Sequence, residues 1–185
     1  MTSGVLRLVL FVAISGGLLG MSCRPLRVVG SHGFYRFFAW EAILALILIN
    51  SRAWFSDPWS ARQIVSWSLL LVSLAMLGLG LHLFTAGKPT GRRQDPTLLW
   101  FEKTTQMVTT GIYRYVRHPL YGSLLFLAWG AFLKGTAWYS VCLVVVATSC
   151  LVATARADEA ECVRYFGQPY REYMKRTRMF VPWLL

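Results

Sequence analysis

Two short strings in this chain carry side chains that suit a small charged ligand. The first is Arg117-His118-Pro119-Leu120-Tyr121. A proline is best tolerated at the first position of a helix, where the N–H it lacks would have no intrahelical partner. The other N–H groups of that turn then suit the anionic part of a ligand, with His118 beside them. The second string is Asp158-Glu159-Ala160-Glu161, whose carboxylates suit a cation. Each string also has a plainer reading. His118 and Arg117 fit an interfacial imidazole and a snorkelling guanidinium. The acids fit a solvated helix face paired with Arg156 or Arg164 at helical spacing.

What would bring the strings together is the apolar sequence between them. The 185 residues are 56% hydrophobic, more than a soluble domain of this length can bury. The apolar residues come in long runs, at about Gly4–Met21, Phe37–Phe55, Ile64–Thr85, Leu120–Leu133 and Trp138–Ala155. With roughly 20 residues needed to cross the hydrocarbon, they predict an all-α, polytopic membrane protein of five spans, the fourth short and punctuated by glycine. The fourth and fifth form an out-and-back hairpin. His118 at its start and Asp158 at its end must therefore return to one membrane face, within reach of one zwitterionic or cationic cofactor. The first run lacks an A-x-A-like cleavage site and is read as a retained helix.

Charge orients the bundle. Fifteen of the nineteen basic residues fall on one side of the five-span layout, leaving Arg7, Arg52, Arg62 and Lys134 on the other. The positive-inside rule then makes the rich side cytoplasmic, C-terminus included. The net charge of +11 is thus assigned to topology and anionic headgroups, and nucleic-acid binding is excluded. Residues 1–85 read as an N-terminal membrane unit. Residues 86–185 read as a functional core of two spans, a long cytoplasmic segment at about 86–117, and a tail. The tail reads as a charged helix to about Arg164, a break at Phe166-Gly167, and a short helix through Tyr170, Tyr173 and Arg176. Cys23, Cys142, Cys150 and Cys162 have no metal or disulfide spacing. Glu41 and Asn50 lie within an apolar run, as does His82 in the next. An intramembrane acid is a functional candidate, but each also reads as structural.

Gly111-Ile112-Tyr113-Arg114-Tyr115-Val116-Arg117-His118-Pro119-Leu120-Tyr121, the acidic pair, and Phe166-Gly167-Gln168-Pro169-Tyr170-Arg171-Glu172-Tyr173 together resemble the isoprenylcysteine carboxyl methyltransferase superfamily, which includes phospholipid methyltransferases. The likeness covers roughly residues 100–182. It implies a membrane methyltransferase using S-adenosylmethionine, with the bilayer and a lipid-like or small apolar substrate as partners. It implies cofactor contacts at Thr105, Gln106, Met107, Val108, Tyr113, His118, Pro119, Leu120, Tyr121, Asp158 and Glu159. Arg117 and Arg156 are expected to steer an anionic substrate headgroup. No side chain stands out as a general base, and no metal is expected. Prenylcysteine-specific enzymes of the superfamily place an arginine four residues before the first acid. Here that position is Thr154, and Arg156 lies on nearly the opposite helix face, which argues against a prenylcysteine carboxylate as substrate. The rival reading is a membrane transport or scaffold protein that retains the fold. Such a protein would place polar groups at mid-membrane instead.

Overall fold

A computed structural model describes residues 3–86 and 107–182. Among the described residues six α-helices follow one another: α1 (Ser3–Ser22), α2 (His32–Ile49), α3 (Ala61–Ala86), α4 (Pro119–Phe132), α5 (Trp138–Phe166) and α6 (Gln168–Arg176). The protein is all-α and polytopic. Among the described residues four helices are long and apolar enough to cross a membrane, at Gly4–Ser22, His32–Ala53, Ala61–Leu83 and Trp138–Phe166. The expected fourth span is the apolar helix α4, only 14 residues long. It rises about 21 Å against a hydrocarbon core of about 30 Å. The 29 residues of α5 rise about 43 Å. The loss of apolar character after Ala155 therefore ends the lipid-facing run without ending the helix.

Small residues set how closely the helices approach. Ala39, Ala42 and Leu46 of α2 meet Val144, Ala147, Leu151 and Ala155 of α5, with Ala128 and Ala131 of α4 completing the buried core. In lipid such contacts hold helices together by packing, because the tails are as apolar as the side chains. α2 and α5 run antiparallel. His32 at the start of one meets Glu161 near the end of the other, and Ser140 donates to Asn50 at 3.4 Å at the opposite end. α3 and α4 are likewise antiparallel and very close. A Cβ at Gly130 would lie 2.8 Å from Leu70 Cδ2, and the Ser66 hydroxyl donates to the Gly130 carbonyl at 2.7 Å. The packing of α2 on α5 thus crosses the division at residue 85.

The two ends of the bundle differ. At the α4–α5 turn Lys134 is buried, its Nζ donating to Gln63 Oε1 at 2.8 Å and lying 3.6 Å from the centroid of the Trp67 ring. At the other end α5 continues into the acid run. Gly167, at φ +66°, a conformation that favours glycine, then turns the chain into α6. Glu41 is held within the bundle by α1, its Oε2 accepting from Ser15 at 2.5 Å.

Candidate functional site

His118 is the N-cap residue of α4, but its side chain does not cap the helix. Its ring turns to α5. Nδ1 lies 3.4 Å from Asp158 Oδ2, and Nε2 lies 3.3 Å from Glu159 Oε1. The imidazole thus bridges two consecutive carboxylates. Tyr121, one turn into α4, stacks on the ring with centroids 5.4 Å apart, and Phe180 closes the other approach at 6.5 Å. Burial works against the imidazolium, but the hydrogen bonds and charges of Asp158 and Glu159 outweigh it and raise the His118 pKa above its ordinary value.

The turn before α4 is held by the tail. Arg117 N–H donates to the Arg178 carbonyl at 2.7 Å, His118 N–H to Met179 at 3.1 Å, and Arg178 N–H to Tyr115 at 3.0 Å. These bonds form an isolated parallel bridge between Val116 and Arg178. The Arg117 side chain is engaged inward: Nε meets Glu159 Oε1 at 2.7 Å, and Nη1 donates to the carbonyls of Met174 and Thr177. The Tyr173 hydroxyl donates to the Tyr113 carbonyl at 2.6 Å, and the Tyr113 hydroxyl to that of Gly80 at 3.4 Å. Both phenols are buried, and desolvation pushes their pKa values up, keeping them neutral donors.

The structure therefore brings together Tyr113, His118, Pro119, Tyr121, Asp158 and Glu159 of the expected set. Leu120, Met107 and Val108 are half-buried, while Thr105 and Gln106 lie outside the described residues. Arg156 is exposed. His82 is exposed on α3. Sequence reading missed His32, buried at the start of α2 and 2.8 Å from Glu161 Oε2 through Nδ1. The signal available for it was a buried-type polar residue just after the N-cap Ser31. His32, Asp158 and Glu161 offer ligating atoms within 4.8 Å of one another, a set able to hold a metal ion.

The chemistry of the cluster fits a zwitterion bearing an extra positive charge. Asp158, Glu159 and Glu161 gather three carboxylates at one end of α5, a set that suits an ammonium and a sulfonium. The start of α4, with no side-chain cap, suits a carboxylate.

The comparisons with known proteins agree in kind. A profile described as phospholipid methyltransferase matches residues 68–168, more than half of the chain and all of the α4–α5 hairpin. Methanethiol S-methyltransferase 1 of Bradyrhizobium diazoefficiens is 32% identical over 72 residues, 39% of this chain and 25% of that protein. The chain thus matches about a quarter of that relative's length. No solved structure matches.

Proposed function

The chain belongs to the phospholipid methyltransferase family, and on that premise we propose that it is an integral membrane methyltransferase. It takes S-adenosylmethionine at the His118–Asp158–Glu159 cluster and methylates a lipid-like or small apolar nucleophile at the cytoplasmic face. The observation that carries this reading is the imidazole of His118 lying between two carboxylates from another helix. A transport or scaffold role gives no reason for that convergence.

Each side chain then has a task. Asp158 and Glu159 offset the ammonium of the methyl donor. His118 and Arg117 keep the two carboxylates from repelling each other out of position. The first turn of α4 receives the donor's carboxylate, with Tyr113, Met107 and Val108 completing the enclosure. Tyr121 and Phe180 shield the His118 ring from water. Bound S-adenosylmethionine supplies a methyl group on a sulfonium, and transfer from it depends mainly on alignment and a dry site. A free amine or thiolate acceptor needs no general base.

The acceptor class follows from charge. Thr154, in the place of a carboxylate-holding arginine, is fully buried and donates to the Cys150 carbonyl of its own helix at 2.7 Å. A nucleophile without a carboxylate, such as a lipid amine or a small thiol that releases its proton to water and reacts as the thiolate, fits better. The likeness to a methanethiol S-methyltransferase supports the thiol arm, and the family supports the lipid arm. The purified chain in nanodiscs, given methyl-labelled S-adenosylmethionine with a lipid extract or a short alkanethiol, should place label in a methylated lipid or a thioether. Absence of label from both would contradict the proposal.

A further inference from the structure

His32 reaches the acid run from the part of the chain that the family profile does not cover. Its burial is complete, and it holds Glu161 twice. Nδ1 lies 2.8 Å from Oε2, and the backbone N–H donates to Oε1 at 3.4 Å. The first turn of α2 is itself fixed, because the Ser31 hydroxyl accepts from Phe34 N–H at 3.1 Å and donates to the Pro25 carbonyl at 3.3 Å. Glu161 is three residues beyond Asp158 on α5, so the two share a helix face. Their carboxylates and the His32 ring lie within 4.8 Å of one another. Both Glu161 oxygens are taken by His32, which suits a hydrogen-bonded lock better than a cage for a cation. Left untied, a second carboxylate on that face would compete with Asp158 for His118 and for any cation bound there.

The geometry assigns His32 as a positioning residue for methyl-donor binding. By holding Glu161, it leaves Asp158 as the carboxylate that faces His118 and the ligand's ammonium. This assignment rests on the reading of the site given above. It makes α2, outside the family-matched segment, part of the binding apparatus.

The test uses the full chain purified in detergent, with S-adenosylmethionine titrated by calorimetry and unfolding followed in parallel. His32→Ala should weaken binding roughly 5- to 20-fold, as expected for losing one buried charge-assisted bond. His32→Asn, which keeps a donor near the position of Nδ1, should recover most of that loss. Glu161→Gln removes the competing carboxylate, so it should bind close to wild type. The His32→Ala/Glu161→Gln pair should bind better than His32→Ala alone, because the carboxylate that His32→Ala sets loose is gone and the two effects are coupled. A purely structural histidine would lower the unfolding temperature without this pattern of rescue. If His32→Ala does not fold, His32→Leu and its pair with Glu161→Gln carry the same test. Wild-type affinity in His32→Ala, or no recovery in the pair, with binding lost in His118→Ala, overturns the role of His32 and leaves the donor site standing. No binding by the unmodified chain overturns both.

Discussion

Arg117 Nε lies 2.7 Å from Glu159 Oε1, although 42 residues separate them in the chain. The same guanidinium donates to the Met174 carbonyl at 3.2 Å and to that of Thr177. One side chain thus joins the start of α4, the acid run of α5 and the end of α6. Sequence alone suggested that Arg117 steers a substrate headgroup. In the fold it holds the acid beside which the methyl donor is proposed to bind. Arg117→Ala leaves the largely buried Glu159 carboxylate with only His118 beside it and should cost about 2–4 kcal/mol of stability. Arg117→Lys should recover only part of this, since an ammonium cannot serve three acceptors with the geometry of a planar fork. Thermal unfolding in detergent measures both. Equal stability of all three proteins would refute the clamp.

The raised pKa of His118 fixes the direction of a pH effect. A group whose pKa is higher in the folded state stabilises that state fully below its unfolded value, about 6.5, and loses the contribution as pH rises through the folded value. Unfolding temperature should therefore fall as pH climbs above about 6.5, and His118→Gln should flatten that slope. An identical pH profile for the variant would count against the His118–Asp158–Glu159 contact.

Much of this site is legible in the sequence, for a local reason. His118 and Asp158 flank one helical hairpin closed by a short turn, so their return to the same end follows from helix length and loop length alone. The break at Gly167 is visible because glycine before Gln168-Pro169 invites the positive φ that the structure shows. The charged helix read to about Arg164 is present as the continuous end of α5, which runs to Phe166; the composition marks only the change of surroundings after Ala155. His32 is hidden by distance. It lies 129 residues from Glu161, and only the antiparallel seating of α2 on α5 joins them.

Orientation is tested without reference to chemistry. A reporter fused after Leu185 should register as cytoplasmic, and one in the turn at 134–138 as external, given the distribution of basic residues. An external C-terminus would invert the bundle and move the proposed site to the other face.

Thr154 separates acceptor classes. A carboxylate entering beside Thr154 meets a hydroxyl already bonded to the Cys150 carbonyl where the carboxylate-holding arginine would stand, and loses hydration at a cost of several kcal/mol. Since each 1.4 kcal/mol is about a factor of ten in rate, turnover of a farnesylcysteine analogue should be at least about a hundredfold below that of the best lipid amine or thiol. Robust methylation of that analogue would show that another cation, such as Arg156, serves the site.

The central claim is that His118 and Asp158 together form the seat of the methyl donor. Calorimetric titration of S-adenosylmethionine into the detergent-purified chain, and into His118→Ala and Asp158→Ala, tests it most directly. The account predicts one site in the unmodified protein and a loss of about 1–3 kcal/mol, roughly 5- to 150-fold in affinity, in each variant, with both variants still folded. Unchanged affinity in both variants, or no binding by the unmodified chain, would contradict it.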